Sequence, residues 1–393
     1  MGPNAANVGG VHGTPSKELS KELSPGPSSA DAANPLLEAG PVLTAVVRLT
    51  QERDYLFVGG VCRAWKACWL DEGRQTMTSR WLAGESVTRL AWARDGGIPW
   101  DAKTCTSIAE AGNLEVLKWA RANGCPWNAW TCATAARQGH LEVLRWARES
   151  GCPWDELVCN SAAQGGHLGV LKWAWGEGCP WSARTCMGAA QGGHLEVLRW
   201  ARANGCPWNE LTCQCAAHGG HLEVLKWARG NGCPWNENVC AEAAATGQPE
   251  LLKWARANGC PWGVGTCTAA AGMGRLEVLK WARENGCPWD ASTCKYAAQG
   301  CTDLLVRDNH SHLEVLKWAR ANGCPWDAGT CASAAMKGRL EVLKWALENG
   351  CDWDEKTIEK ALEWGHTELA EWARANGCPE PPNMLDMVEG LQL

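Results

Sequence analysis

Twenty-three cysteines and nine histidines are the residues of this 393-residue chain with the widest chemical reach. Cysteine supplies metal ligands, disulfides and nucleophiles, and histidine carries protons near neutral pH. Their spacing argues against each of these uses. The cysteines fall into two ladders, Cys105, Cys132, Cys159, Cys186 and onward, and Cys125, Cys152, Cys179, Cys206 and onward. No CxxC pair occurs, and Cys213 with Cys215 is a lone CxC. Zinc sites need four ligands converging from short local spacings. Like positions in neighbouring units should stand about 10 Å apart, beyond the roughly 7 Å Cα limit for a disulfide. Cysteine is therefore read as a small buried apolar filler, with no metal and no disulfide. Six of the nine histidines, among them His140, His167, His194 and His221, share one repeated position. A catalytic centre is one constellation and not a ladder, so a capping or inter-repeat hydrogen bond is the expected role. With no phosphate-binding glycine loop, HExxH or nucleophile elbow, the reading is that the chain is not an enzyme and has no cofactor.

The elements that would position these residues follow from one landmark. Trp92, Trp119, Trp146, Trp173, Trp200, Trp227, Trp254 and Trp281 are each 27 residues apart, and after one step of 37 the series resumes at Trp318, Trp345 and Trp372. A second tryptophan keeps the register from Trp100 to Trp353. Trp outnumbers Phe and Tyr together by 27 to 3, as expected of one unit copied many times. About eleven units run over residues 74–380, with divergent ends that suit caps.

Each unit reads as two short helices. The residue after the turn tryptophan is a good N-cap in the series Asp101, Asn128, Asp155, Ser182, Asn209, Asn236, Gly263, Asp290, Asp327 and Asp354. A helix of the form xxTCxxAAxx follows and stops at a glycine such as Gly139. The second helix, LEVLRWARES after His140, stops at Gly151 with proline two residues on. Leu141, Leu144 and Ala147 set its apolar stripe, widened by Val143 and Trp146. Lys118, Arg121 and their copies, interleaved with Glu115 and its copies, read as a solvated face.

The unit TCxxAAxxGHLEVLKWARxNGCPW resembles the ankyrin repeat, whose usual form contains TPLHxAAxxGHLEVVKLLLxxGADVN. Gly139, His140 and Leu141 match the family's Gly, His and Leu, and Ala135 with Ala136 matches its Ala pair. Cys132 falls at its first core Leu, and Trp146 with Ala147 at two later ones. The resemblance extends through all the units and implies an all-α, ankyrin-like α-solenoid of helix-turn-helix repeats. Because the period is shorter than the family's, roughly 33 residues, and the unit lacks TPLH, the β-hairpins are expected to be shortened or absent. Tryptophan at the CPW position would then cover the edge that the hairpin leaves bare.

Outside the repeats, residues 1–36 are rich in Pro, Ser, Gly and Ala and read as a disordered tail, and residues 381–393 as a C-terminal tail. In the intervening 37–73 segment, Val42 to Trp65 resembles an F-box in spacing but lacks its opening LPxE. That resemblance implies contact with ubiquitin-ligase subunits through Leu43, Leu56, Val61 and Trp65, and hence a substrate-recognition adaptor. The other reading is a helical cap on the first repeat. Ten extra residues, about 301–310, are expected to form an exposed loop between two helices.

With 37 Lys and Arg against 43 Asp and Glu, the net charge of −6 offers no basic excess to neutralise a nucleic acid. No apolar run approaches the length of a membrane span and no secretory signal opens the chain, so the expectation is a cytoplasmic or nuclear monomer without membrane contact. Positions that vary between repeats remain as a surface for a protein partner. Arg137, Gln164, Gln191, Gln214, His218, Lys295 and Tyr296 are the candidates on the first helices. Unselected drift on an unused face is the competing account.

Overall fold

The protein is described by a computed structural model over residues 86–95, 100–300 and 309–382. The chain divides into two units, residues 1–74 and 75–393, and every described residue lies in the second. The expected tail, the F-box-like segment with Leu43, Leu56, Val61 and Trp65, most of the insertion and the end of the chain lie outside the described residues.

Among the described residues all regular structure is helical, with no strand. A single second helix, Val87–Asp95, is followed by ten helix pairs, from Ala102–Ala111 with Leu114–Ala122 to Glu355–Glu363 with Thr367–Ala375. Side chains start eight of the ten first helices, Gly263 and Asp354 of the expected series making no side-chain cap bond. Asn128 Oδ1 accepts from Trp130 N at 3.0 Å and Asp155 Oδ1 from Leu157 N at 2.9 Å, satisfying amides that the helix leaves bare. Glycine ends both helices of the pair in the same way. Gly139, at φ +80°, sends its amide to Ala136 O, and the next amide, of His140, reaches back to Ala135 O at 2.9 Å. Gly124, at φ +84°, does the same with Arg121 O, and Cys125 N bonds Ala120 O at 3.0 Å. These are Schellman stops, and proline after the second one prevents helix resumption.

The core is built from small and aliphatic side chains. The first helix buries Thr131, Cys132, Ala135 and Ala136, the second Val143, Leu144 and Ala147, and the turn Cys152, with the same positions buried in the other copies. Alanine pairs let successive first helices lie in close contact, whereas second helices pack on their own first helix and touch one another little. Gly188 marks a tight place. A Cβ there would sit 2.6 Å from Asn160 Oδ1 and 2.8 Å from Asn160 O. The stack continues past the insertion, since Ala291–Gln299 packs against Ala328–Met336 as other first helices do. The second helix of that repeat, Asn309–Ala321, has 13 residues where its copies have nine.

Tryptophan clads this core rather than filling it. Both series are half-buried, and each turn indole meets the indole of the following second helix edge-on or tilted, as Trp127 with Trp146 at 5.7 Å and Trp208 with Trp227 at 5.9 Å. The arginine of the WAR segment lies on the turn indole, Arg121 over Trp127 and Arg202 over Trp208 at 4.1 Å each. It also donates to the carbonyl of the turn cysteine, as Arg229 to Cys233 O at 3.1 Å. The Arg121 series stays half-buried to exposed, as a solvated stripe requires, but cation–π contact and a carbonyl also hold it against the turn. The Lys118 series does face solvent, paired with glutamate three residues earlier, as Lys226 with Glu223 at 2.8 Å.

The histidine ladder joins repeats. His140, His194 and His221 hold N-cap positions but make no side-chain cap bond. Each Nε2 instead meets a carbonyl of the preceding repeat, Glu110 O at 3.1 Å, Gln164 O at 3.1 Å and Gln191 O at 3.0 Å. The ring lies on the left-handed glycine of that repeat, where a Cβ on Gly112 or Gly166 would stand 2.5 Å from the imidazole. Where the position is Arg275, its Nε donates to Ala245 O at 3.2 Å. Of the two expected roles, the inter-repeat bond is the one present.

Candidate interaction surface

A first helix exposes the residues that neither cap it nor face its neighbours. In the helix 129–138 these are Trp130, Thr134 and Arg137, whose i, i+4, i+7 spacing puts them on one stripe. The corresponding triplets down the stack are Leu157, Ser161 and Gln164; Arg184, Gly188 and Gln191; Leu211, Cys215 and His218; Asn238, Glu242 and Ala245, and their middle position is the least open, with Ser161, Gly188 and, further on, Ser333 buried against the neighbouring helices. Gly265, Ala269 and Gly272 follow, then Ser292, Tyr296 and Gln299, then Gly329, Ser333 and Met336, and last Lys356, Lys360 and Glu363.

Several proposed contact residues engage one another across repeats. Gln164 Nε2 donates to Gln191 Oε1 at 3.3 Å, and Gln214 Nε2 to Glu242 Oε1 at 3.0 Å. His218 Nδ1 lies 3.0 Å from Glu242 Oε2, so Glu242 gathers two of the candidates. Arg137 is exposed, as are Lys295 and Tyr296. Those last two wall a surface hollow of about 560 Å³ whose floor includes Gly329, Ala332 and Ser333 and whose other wall carries Lys356 and Lys360. The hollow exists because small side chains occupy the stripe between two repeats that carry long ones.

The column two residues after the N-cap was missed from sequence. Trp130 there is 58% exposed and Leu211 38%, with Arg184 exposed and Leu157 partly so. The signal was available, since this column changes from repeat to repeat while the Thr-Cys beside it stays nearly constant. Among the described residues no group of three or more His, Cys, Asp or Glu side chains is placed to hold a metal. No described helix is long and apolar enough to cross a membrane.

Comparison with known proteins places residues 187–229 in a match to the family model "Ankyrin repeats (many copies)". No curated protein matches the chain. Among solved structures, the ankyrin repeat domain of human ASB11 is similar at 16% identity and TM-score 0.33, covering 40% of this chain and 84% of that one. The pentatricopeptide repeat protein PPR10 from maize is similar at 16% identity and TM-score 0.33, covering 88% of this chain and 60% of that one. PPR10 in complex with an 18-nucleotide psaJ RNA element aligns at 14% identity and TM-score 0.27, covering 88% of this chain and 62% of that one. These structural likenesses are remote, and the fold stands on the helix pairs themselves: an all-helical solenoid of ankyrin-like repeats.

Proposed function

We propose that this chain is a non-catalytic scaffold that binds another protein along the exposed stripe of its first helices. One observation carries the reading. The other solvent-facing columns barely change down the stack, mostly glutamate in the Glu115 series and lysine or arginine in the Lys118 series, whereas this stripe passes from Trp130 and Leu157 through Arg184 and Leu211 to Gly265 and Gly272, then to Tyr296, Lys356 and Lys360. Trp, Tyr and Arg are the side chains that most often anchor protein interfaces, and Trp130 and Tyr296 are 58% and 45% exposed. The ankyrin-repeat match at residues 187–229 supports the same use.

The test is site-directed. Partners cross-linked to the full chain should be lost with Trp130→Ser or Tyr296→Ser and retained with Lys226→Ala on the opposite face. Retention by both stripe variants with loss in Lys226→Ala would place binding elsewhere.

The substrate-adaptor reading rests on residues 42–65 alone. Co-purification of cullin-linked ligase subunits with the full chain, and their absence from a chain beginning at Asp71 whose repeats still fold, would support it. Absence from both would leave the scaffold. A monomer in the cytoplasm or nucleus is the accompanying proposal.

A further inference from the structure

Two cysteine ladders that look independent in sequence adjoin in space. Cys105 faces Cys125, Cys132 faces Cys152, and the pattern repeats through Cys331 with Cys351, giving nine neighbouring thiol pairs. Eight share one sequence separation, and Cys294 with Cys324, which brackets the insertion, is wider by its ten residues. In three pairs the first-helix sulfur also lies near its partner's carbonyl, Cys105 Sγ 3.8 Å from Cys125 O, Cys159 3.9 Å from Cys179 O and Cys186 4.0 Å from Cys206 O. The turn thiol is held from the other side, donating to the N-cap carbonyl 24 residues earlier, as Cys152 to Asn128 O at 3.5 Å. The thiol contacts in the structure are between unlike positions of the same repeat.

We propose that each of these nine pairs is a dithiol that a peroxide closes to a disulfide, tying the first helix to the turn that ends the same repeat. The turn sulfur attacks a peroxide oxygen, the O–O bond breaks, and sulfenic acid and one water result. The helix sulfur then attacks the sulfenic sulfur, losing its proton and expelling the second water. Overall two S–H bonds give one S–S bond, and two electrons and two protons pass to hydrogen peroxide.

The surroundings assign these roles. The hydrogen bond to the neighbouring thiol, and then burial, push the first-helix thiols far up, whereas the turn thiols are lowered, chiefly because the helix S–H donates to them. Arginine charge lowers them further, Arg202 acting on Cys206 and Arg256 on Cys260. Thr185 and Thr266 bring buried hydroxyls to Cys206 and Cys287, and these oxygens have no nitrogen or oxygen partner. Of the two, the turn member is the one more readily deprotonated and is assigned the first attack, after its S–H leaves the N-cap carbonyl. A disulfide is also uncharged, which suits a buried site.

The chain carries its own controls. In the last repeat Ile358 stands where the others have cysteine, and Cys378 has no thiol partner, its pKa pushed up to about 11 by burial. Cys215 is half-buried on the first-helix stripe and belongs to neither ladder. The experiment is peroxide titration of the reduced full chain, followed by alkylation and non-reducing peptide mass spectrometry, with helicity followed in parallel. The expected result is links within repeats, such as Cys132–Cys152 and Cys294–Cys324, each lighter than its dithiol by two hydrogens, with Cys215 and Cys378 alkylated. Cys132→Ile, copying the last repeat, should abolish the Cys132–Cys152 link and leave the other eight. Cys152→Ser should do the same if the isoleucine fails to pack. Links between like positions such as Cys152–Cys179, oxidation that stops at sulfinic acid, or links that form only as helicity is lost would each overturn the proposal.

Discussion

Replacing Gly166 by alanine should cost more than replacing Gly151, although both glycines end helices at nearly the same left-handed angle, φ +80° and +81°. The shared part is the penalty for an L-residue in that conformation, about 1–2 kcal/mol. A Cβ on Gly151 meets nothing within 4 Å. On Gly166 it would stand 2.5 Å from His194 Cε1 and Nδ1, so the ring must leave and its bond to Gln164 O at 3.1 Å is lost. A net hydrogen bond is worth roughly 0.5–1.5 kcal/mol, so Gly166→Ala should total about 2–3 kcal/mol against about 1–2 for Gly151→Ala. Denaturant unfolding of the full chain measures both, with amide exchange near residues 160–200 reporting local loss if a long stack does not unfold in one step. The cycle closes with His194→Ala. Adding it to Gly166→Ala should cost less than it does alone, because the ring has already been displaced. Equal costs at the two glycines, or additive costs in the double variant, would refute the histidine–glycine contact as an inter-repeat tie.

Burial holds His194 below its ordinary pKa of 6.5, so the unfolded chain binds its proton first. That stability is present above pH 6.5 and is lost as the pH falls through the lower folded value, and His194→Gln should flatten this part of an unfolding midpoint-versus-pH curve. Arg202→Ala removes both the contact with Trp208 and the bond to Cys206 O and should cost about 1–2 kcal/mol in denaturant unfolding. Lys226→Ala, in an exposed pair with Glu223, should change the same measurement by less than about 0.5 kcal/mol. Gly188→Ala should cost about 1–3 kcal/mol and loosen amide protection across the 156–164 and 183–191 helices, because the Asn160 backbone has nowhere to move.

Sequence alone determined the period, the paired helices, their N-caps and their glycine stops. Each is a local rule: Asn128 can cap only the amides just after it, and Gly139 can end only the helix it follows. The regular recurrence then multiplied one local reading along the chain, and the columns free to vary could be told from those that were fixed. What sequence could not supply was contact between different columns. The Arg121 series reads as solvated charge until the turn brings Trp127 beneath its guanidinium. His140 sits where a capping side chain belongs, and only the neighbouring repeat provides the Glu110 carbonyl and the bare Gly112 that it uses instead. Comparing like cysteines with like gave a spacing too wide for sulfur chemistry, whereas folding each repeat back on itself sets Cys132 against Cys152. Spacing along the chain fixes distances within a helix, but where a turn returns the chain on itself, the distance between two columns is set by packing.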